Sequence, residues 1–281
     1  MAKKSNFVPD EKMQEVAATG QETLRFHAIT EPGFVLECGA TPARLGPGGR
    51  LRFRTDSGRV MLRFTLDTKT MHPHPTQPYQ AACGFDLYVG ALGKERYYYT
   101  TRTTAPSGDF ELVHKHDAPG ERFRDFTLHL PLFAKVASLE IGLDADAKLK
   151  TPATLDGQPV ALVGCDLARG RSASRPGMSL ANQLTRLLRR PVIVGRSQDA
   201  LPSGDYGYVL EIPEPAQGEF KKTRSNPSNK NKSKPLSERQ YYRFLGEDAD
   251  ACFTDATHLN DLGLERLAEQ LSNYLNLMLQ S

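Results

Sequence analysis

An acid, two hydroxyls and a guanidinium, those of Asp166, Ser172, Ser174 and Arg175, share one short polar segment of the chain. The segment lies inside VALVGCDLARGRSASRPGM (Val160 to Met178). That stretch reads as an apolar strand, VALVG, then a loop of small and polar residues, then a helix opened near Arg175-Pro176-Gly177. Proline is tolerated early in a helix because the N–H it lacks would be unpaired there in any case. A loop between the end of a buried strand and the start of a helix is where α/β proteins hold ligands and nucleophiles. It is the first candidate site. Two histidine pairs, His72 with His74 in MHPHPTQP and His114 with His116, are metal ligands by residue type alone. Histidines two apart on a Pro-rich loop more often face solvent, so no metal site is expected, and no cofactor is expected. The four cysteines, Cys38, Cys83, Cys165 and Cys252, show no Cys-x-x-Cys spacing and read as reduced thiols.

Two ordinary domains or one large one fit a chain of 281 residues. A hydrophobic fraction of 39% and a charged fraction of 25% are those of a globular protein. The net charge of +3 is too small to argue for nucleic acid. The start, MAKKSNFVPDEKMQ, has lysines but no apolar stretch behind them, so no signal peptide is expected. No run approaches the length of a membrane span. These features point to a cytoplasmic location and no membrane partner. Trp is absent, which removes Trp-based stacking on sugars.

The elements that must position the loop follow from periodicity. Residues 1–20 read as a frayed lead-in, and from 21 to 150 the signals are those of strands. Arg50 to Asp67 alternates apolar and charged residues on both sides of Asp56-Ser57-Gly58, as a hairpin would. Gly84 to Thr103 gives a strand, a turn at Leu92-Gly93-Lys94 and an aromatic return strand. RDFTLHLPL and ASLEIGL add two more, and the whole suggests an antiparallel β-sandwich. LKTPATLDGQP reads as a linker. From 159 to 281 the pattern is α/β, with strands expected near 160–164, 191–194, 206–212 and 241–245. Leu180, Leu184, Leu187 and Leu188 mark one face of a helix. Leu264, Leu267, Leu271, Tyr274, Leu275 and Met278 mark one face of a second, from Asp261 to Leu279. Residues 219–239 are basic and poor in apolar side chains. They read as a disordered loop, able at most to tether a weak anionic partner.

Gly164 to Gly177 aligns without a gap to the first block of SGNH (GDSL-type) hydrolases, in the subgroup reading roughly YGTSITQGGCASRPGM. GFDLY (Gly84 to Tyr88) resembles the Gly-x-Asp-Leu-Tyr signature of the β domain that precedes the hydrolase domain in that subgroup. Thr254-Asp255-Ala256-Thr257-His258, followed by Asn260-Asp261-Leu262-Gly263, resembles the final block, Asp-x-x-His before Asp-Leu-Gly. The resemblance implies a β-sandwich N-terminal domain on a flavodoxin-like α/β domain with a shortened parallel sheet. It implies His258 as general base and Asp255 as its orienter. Where the family has its nucleophilic serine, this chain has Asp166. The second and third oxyanion donors fall near Gln198 and Glu214, neither of which matches. Ser172, Ser174, Arg175, Gln198 and Glu214 are then the expected pocket residues.

Three readings follow. The favoured one is a catalytically impaired pseudoenzyme that binds an acylated saccharide, a small ester or a protein partner. The alternatives are an esterase rebuilt around Asp166 or Ser172, and an assembly or nucleic-acid-tethered protein. In each, the Asp166 carboxylate is expected within reach of His258, where an ion pair would hold the imidazole as a cation.

Overall fold

The computed structural model describes residues 24–37, 49–67, 77–101, 107–113, 122–164, 166–195, 201, 204–212, 233–236, 238–254 and 258–280. The N-terminal half holds strands β1 (Leu24–Ala28), β2 (Val35–Glu37), β3 (Arg50–Thr55), β4 (Arg59–Asp67), β5 (Asp86–Val89), β6 (Arg96–Thr100), β7 (Ser107–Val113), β8 (Arg124–His129), β9 (Lys135–Asp144) and β10 (Leu149–Lys150). A short helix, α1 (Tyr79–Cys83), interrupts them. One antiparallel sheet has the order β1-β9-β4-β7 and the other β10-β3-β8-β5-β6, with β2 added to β3. Phe53, Leu87 and Phe126 of the second sheet and Leu62, Phe64 and Ile141 of the first belong to one shared core.

The segment from Arg50 to Asp67 is not a hairpin. Its two strands lie in different sheets: β3 pairs with β8, and β4 pairs with β9 and β7. Alternation alone does not separate these cases, since both strands turn their apolar residues toward the same core. The corner at Asp56-Ser57-Gly58 is held by Asp144, which accepts from Gly58 N–H at 2.8 Å, Ser57 Oγ at 3.0 Å and Arg59 Nε at 2.7 Å. On the other face of β3, the buried Arg52 donates to Glu37 and, at 2.6 Å, to the carbonyl of Ala153. That bond ties residues 151–158, which carry no regular structure, back onto the sheet.

The C-terminal half is built on a parallel sheet of order β12-β11-β13-β14, from β11 (Val160–Gly164), β12 (Val192–Gly195), β13 (Tyr208–Ile212) and β14 (Ser233–Pro235). Helices α2 (Leu180–Leu188), α3 (Glu238–Leu245) and α4 (Asp261–Gln280) pack on one face against Val160 and Leu162. Ala161 and Val163 pack with Val209 on the other face. Burial on both sides explains why VALVG is an unbroken apolar run. In α4, Leu264, Leu267, Leu271 and Leu275 are buried as the periodicity requires. In α2, Leu180, Leu184 and Leu188 are buried, but Leu187 is 45% exposed and does not belong to that face.

The expected strand at 241–245 is helix α3, so it does not pair with β13. Tyr241 and Leu245, one helical turn apart, are both buried, while Tyr242 faces out. The aromatic run suggested a strand by propensity, and the 3.6-residue spacing won. Ser233–Pro235 takes the place beside β13 instead, with Leu210 opposite Lys234. Proline is acceptable there because β14 is an edge strand. The loop expected over 219–239 is therefore corrected at its end, where Ser233–Pro235 is strand, Leu236 is buried and α3 begins at Glu238, because backbone pairing with β13 and one apolar side chain order it; 219–232 and 237 lie outside the described residues.

Gly164 ends β11 with φ +130°, and a Cβ there would lie 2.3 Å from the Ile212 carbonyl oxygen of β13. Gly164→Ala should therefore cost about 2–3 kcal/mol, from left-handed strain plus overpacking against rigid backbone. Urea unfolding measures it. A loss below about 0.5 kcal/mol would show that this end of the sheet relaxes freely.

Candidate functional site at the end of the central strand

β11 ends at Gly164, and Asp166 follows in the loop, its side chain about one-third exposed (36%). Its carboxylate accepts from Arg169 Nη1 at 3.3 Å and from Arg171 Nη2. Both guanidiniums lie over the ring of Phe133, at 5.3 and 6.0 Å, so a residue of the N-terminal half forms the floor beneath them. The expected contact to His258 is not made: the Asp166 carboxylate is taken by two arginines of its own loop. Their positions, 169 and 171, are those at which the subgroup's pattern reads Gln and Gly, and this is the signal that could have found them.

His258 lies three residues before the start of α4. Its carbonyl accepts from Thr254 N–H at 2.7 Å, and Leu259 bridges to Phe253. Asn260 then holds the start of α4: its Oδ1 accepts from Gly263 N–H at 3.0 Å, and its Nδ2 donates to the Ala251 carbonyl at 2.8 Å. Asp261 reaches from α4 to the candidate loop, accepting from Ser174 N–H at 2.9 Å and Ser174 Oγ at 2.5 Å. Ser174 is thus a fastener between the two blocks, not a free pocket hydroxyl. Ser172 is buried, with φ +64°, and its N–H donates to Gln77 Oε1 at 3.2 Å. Asp255, Gln198 and Glu214 lie outside the described residues, as do the histidine pairs at 72, 74, 114 and 116.

Arg175 is engaged by the N-terminal half. Its Nη1 donates to Asp86 Oδ2 at 3.1 Å and to the Tyr88 hydroxyl at 2.5 Å, and its guanidinium stacks 3.9 Å from the Tyr97 ring. Asp86, which is 0% exposed, also accepts from Gly177 N–H at 2.7 Å and from Thr100 Oγ1 at 2.7 Å. Gly177 must be bare, since a Cβ there would lie 2.5 Å from the Tyr88 ring. Arg186 of α2 lies over the other side of the contact, 4.8 Å from the Tyr88 ring, and donates to the Gly177 carbonyl at 2.9 Å. The aspartate and tyrosine of GFDLY therefore grip the arginine and glycine of SASRPGM. This junction fixes the candidate loop against the N-terminal half, a role for Asp86 that the sequence alone does not reveal.

His129 of β8 is buried beside that junction, edge-on to Tyr88 at 5.0 Å. Neither ring nitrogen makes a hydrogen bond. Burial, with Arg186, Arg50 and Arg175 nearby, holds its pKa well below the usual histidine value of 6.5, and the Asn182 side chain opposes this only in part. The unfolded chain takes up a proton below about pH 6.5 that the folded chain refuses, so stability falls as the pH drops below that value. The slope from this group is about 1.4 kcal/mol per pH unit, down to its folded pKa. His129→Leu should flatten the stability curve between pH 6.5 and 5 relative to wild type. Equal slopes in urea titrations at several pH values would rule His129 out as the source.

Among the described residues, no group of three or more His, Cys, Asp or Glu side chains could hold a metal ion. No helix among them is long and apolar enough to cross a membrane.

A family model described as the GxDLY N-terminus of SGNH hydrolase-type esterases matches residues 40–149. By sequence, no curated protein matches the chain. Solved structures do match by fold. A protein described as a GDSL-like lipase, from Bacteroides ovatus ATCC 8483, superposes with a TM-score of 0.72 at 18% identity, covering 92% of this chain and 98% of that one. The salicylyl-acyltransferase SsfX3 of a tetracycline biosynthetic pathway gives 0.60 at 15% identity, covering 91% and 98%. A family two carbohydrate esterase from Cellvibrio japonicus gives 0.57 at 11% identity, covering 92% and 98%. The grip of Asp86 and Tyr88 on Arg175 and Gly177 thus lies where the matched domain meets the α/β half. Residues 40–149 thus match the model for the GxDLY N-terminus of SGNH hydrolase-type esterases, and the chain shares the two-domain fold of those lipase and esterase structures.

Proposed function

We propose that the protein is a catalytically impaired relative of the SGNH-type esterases, whose site binds a ligand without turning it over. The observation that carries this reading is the state of Asp166. It stands where the family's serine would be, and two guanidiniums hold its carboxylate. A carboxylate engaged in charge-assisted hydrogen bonds is a weak nucleophile, because the lone pairs it would donate are already committed. The rebuilt-enzyme alternative through Ser172 gains nothing from the geometry, since that residue is buried and pinned at its backbone N–H by Gln77. His258 and Asp255 keep the family's spacing and are assigned to the base and orienter positions, without a serine to serve. An acylated saccharide or another small ester is the ligand class that the carbohydrate esterase neighbour suggests.

Two measurements on the full chain test this. A chromogenic acetyl ester should not be hydrolysed above the rate in buffer. Calorimetry against a panel of acetylated saccharides should show saturable heat without product. Turnover that survives Asp166→Ala but not His258→Ala would replace the reading with an active enzyme using another nucleophile.

A further inference from the structure

We propose that Arg169 and Arg171 form an anion seat at the end of β11, filled in the free protein by Asp166 and taken by the carboxylate or phosphate of an incoming ligand. The proposal rests on the ligand-binding reading above and narrows its ligand to one that carries an anionic group besides any ester. Three of the seven departures from the subgroup's pattern, those at positions 166, 169 and 171, are the charged ones and are the members of one ion cluster. Loss of a nucleophile alone would leave no reason for two cations to meet its replacement. The seat therefore reads as rebuilt for charge.

Asp166 is an imperfect occupant. On a guanidinium, Nε–H and Nη2–H lie along one edge and match the two oxygens of a carboxylate or phosphate as a fork. Asp166 takes Nη2 of Arg171 with one oxygen and Arg169 with the other. Arg171 Nε is left buried with no hydrogen bond. Gln77 Nε2 is buried without one as well, on the side chain whose oxygen already holds Ser172 N–H. Tethered five residues away in the same loop, Asp166 cannot lie along the Arg171 edge and still reach Arg169. A free oxyanion has no tether and can use both tines, while Phe133 keeps the guanidiniums from turning away. The partial exposure of Asp166 gives a ligand access to the contact it must displace. Arginine is the residue suited to such a fork, and lysine is not a substitute for it.

The test is calorimetric titration of the full chain with sodium phosphate and, separately, sodium acetate, at fixed ionic strength set with chloride. Wild type should bind one equivalent of at least one of the two, and the better of them names the oxyanion preferred. Asp166→Ala and Asp166→Asn should bind it about tenfold more tightly, because the internal competitor is gone. Arg171→Met should lose it, and Arg171→Lys, which keeps charge but not the fork, should not restore it. Thermal unfolding of each variant shows that it is folded. Binding by neither wild type nor the Asp166 variants overturns the seat, as does binding indifferent to Arg171→Met. Binding by the Asp166 variants alone overturns displacement of Asp166 by a ligand. Ester hydrolysis measured on the same samples separates the two claims: turnover by wild type defeats the non-catalytic reading alone, and failed anion binding without turnover defeats the seat alone.

Discussion

Asp86→Ala should destabilise the protein by about 3–5 kcal/mol, the range for removing one partner of a buried ion pair. The substitution strips acceptors from Gly177 N–H, Arg175 and Thr100 in one step, at a site with no access to water. Asp86→Asn should cost far less, about 1 kcal/mol, because an amide keeps the shape and one acceptor. The contrast follows from the electrostatics. Burial raises the Asp86 pKa above its usual value, and Arg175, Thr100 and Gly177 recover only part of the shift. A carboxyl with a raised folded pKa favours the fold most below its unfolded pKa, and that advantage is lost as pH rises through the folded value. Asp86 is therefore not a source of acid lability, which belongs to His129. Urea unfolding gives both numbers. If alanine and asparagine cost the same, the charge rather than the packing holds the junction. If alanine costs under about 1 kcal/mol, the motif contact does not hold the halves together.

The two motifs at this junction were legible separately, GFDLY in one half and SASRPGM in the other. Their contact was not, because nothing in a strand signature says which residues of a distant loop its aspartate will meet. Asp86 and Arg175 are 89 residues apart in the chain and 3.1 Å apart in space. The partners of Arg175, a carboxylate and two tyrosines of the other half, are for the same reason not legible in its own motif.

Elements declared by periodicity were read well. VALVG and the Asp261 helix both stand as expected, because burial on two faces and on one stripe leaves distinct patterns. The failures share a physical cause, which is that local pattern does not specify partners. Arg50 to Asp67 alternates correctly but divides between two sheets. Ser233-Lys234-Pro235 has no strand character in its sequence, yet its backbone pairs with β13. Tyr241 to Leu245 has strand composition on a helical period. At the candidate site, Asp166 was found because it breaks a motif. Its partners Arg169 and Arg171 depart from the same block, but a departure in sequence does not say which side chains meet.

Asp166→Ser, which puts a serine where the resemblance expects the nucleophile, should not create an esterase. Hydrolysis of a chromogenic acetyl ester should stay at least about a thousandfold below that of an SGNH-type enzyme with a complete oxyanion hole, since each missing donor typically costs about 10²–10³ in kcat. The resemblance places those donors near Gln198 and Glu214, which do not match the family's glycine and asparagine. The loop adds a second obstacle. Removing the carboxylate leaves Arg169 and Arg171, both near the Phe133 ring, without the anion that they now share. A serine hydroxyl placed between two guanidiniums accepts their hydrogen bonds, and that lowers its nucleophilicity further. Adding Arg169→Gln and Arg171→Gly to Asp166→Ser removes this second obstacle and leaves only the first. The triple variant should therefore exceed the single one, yet remain far from an efficient catalyst. Robust turnover by Asp166→Ser alone would show that donors sufficient for the oxyanion are present, with the two arginines themselves the first to examine. In that case the carboxylate at position 166 would be the sole reason the site does not hydrolyse esters.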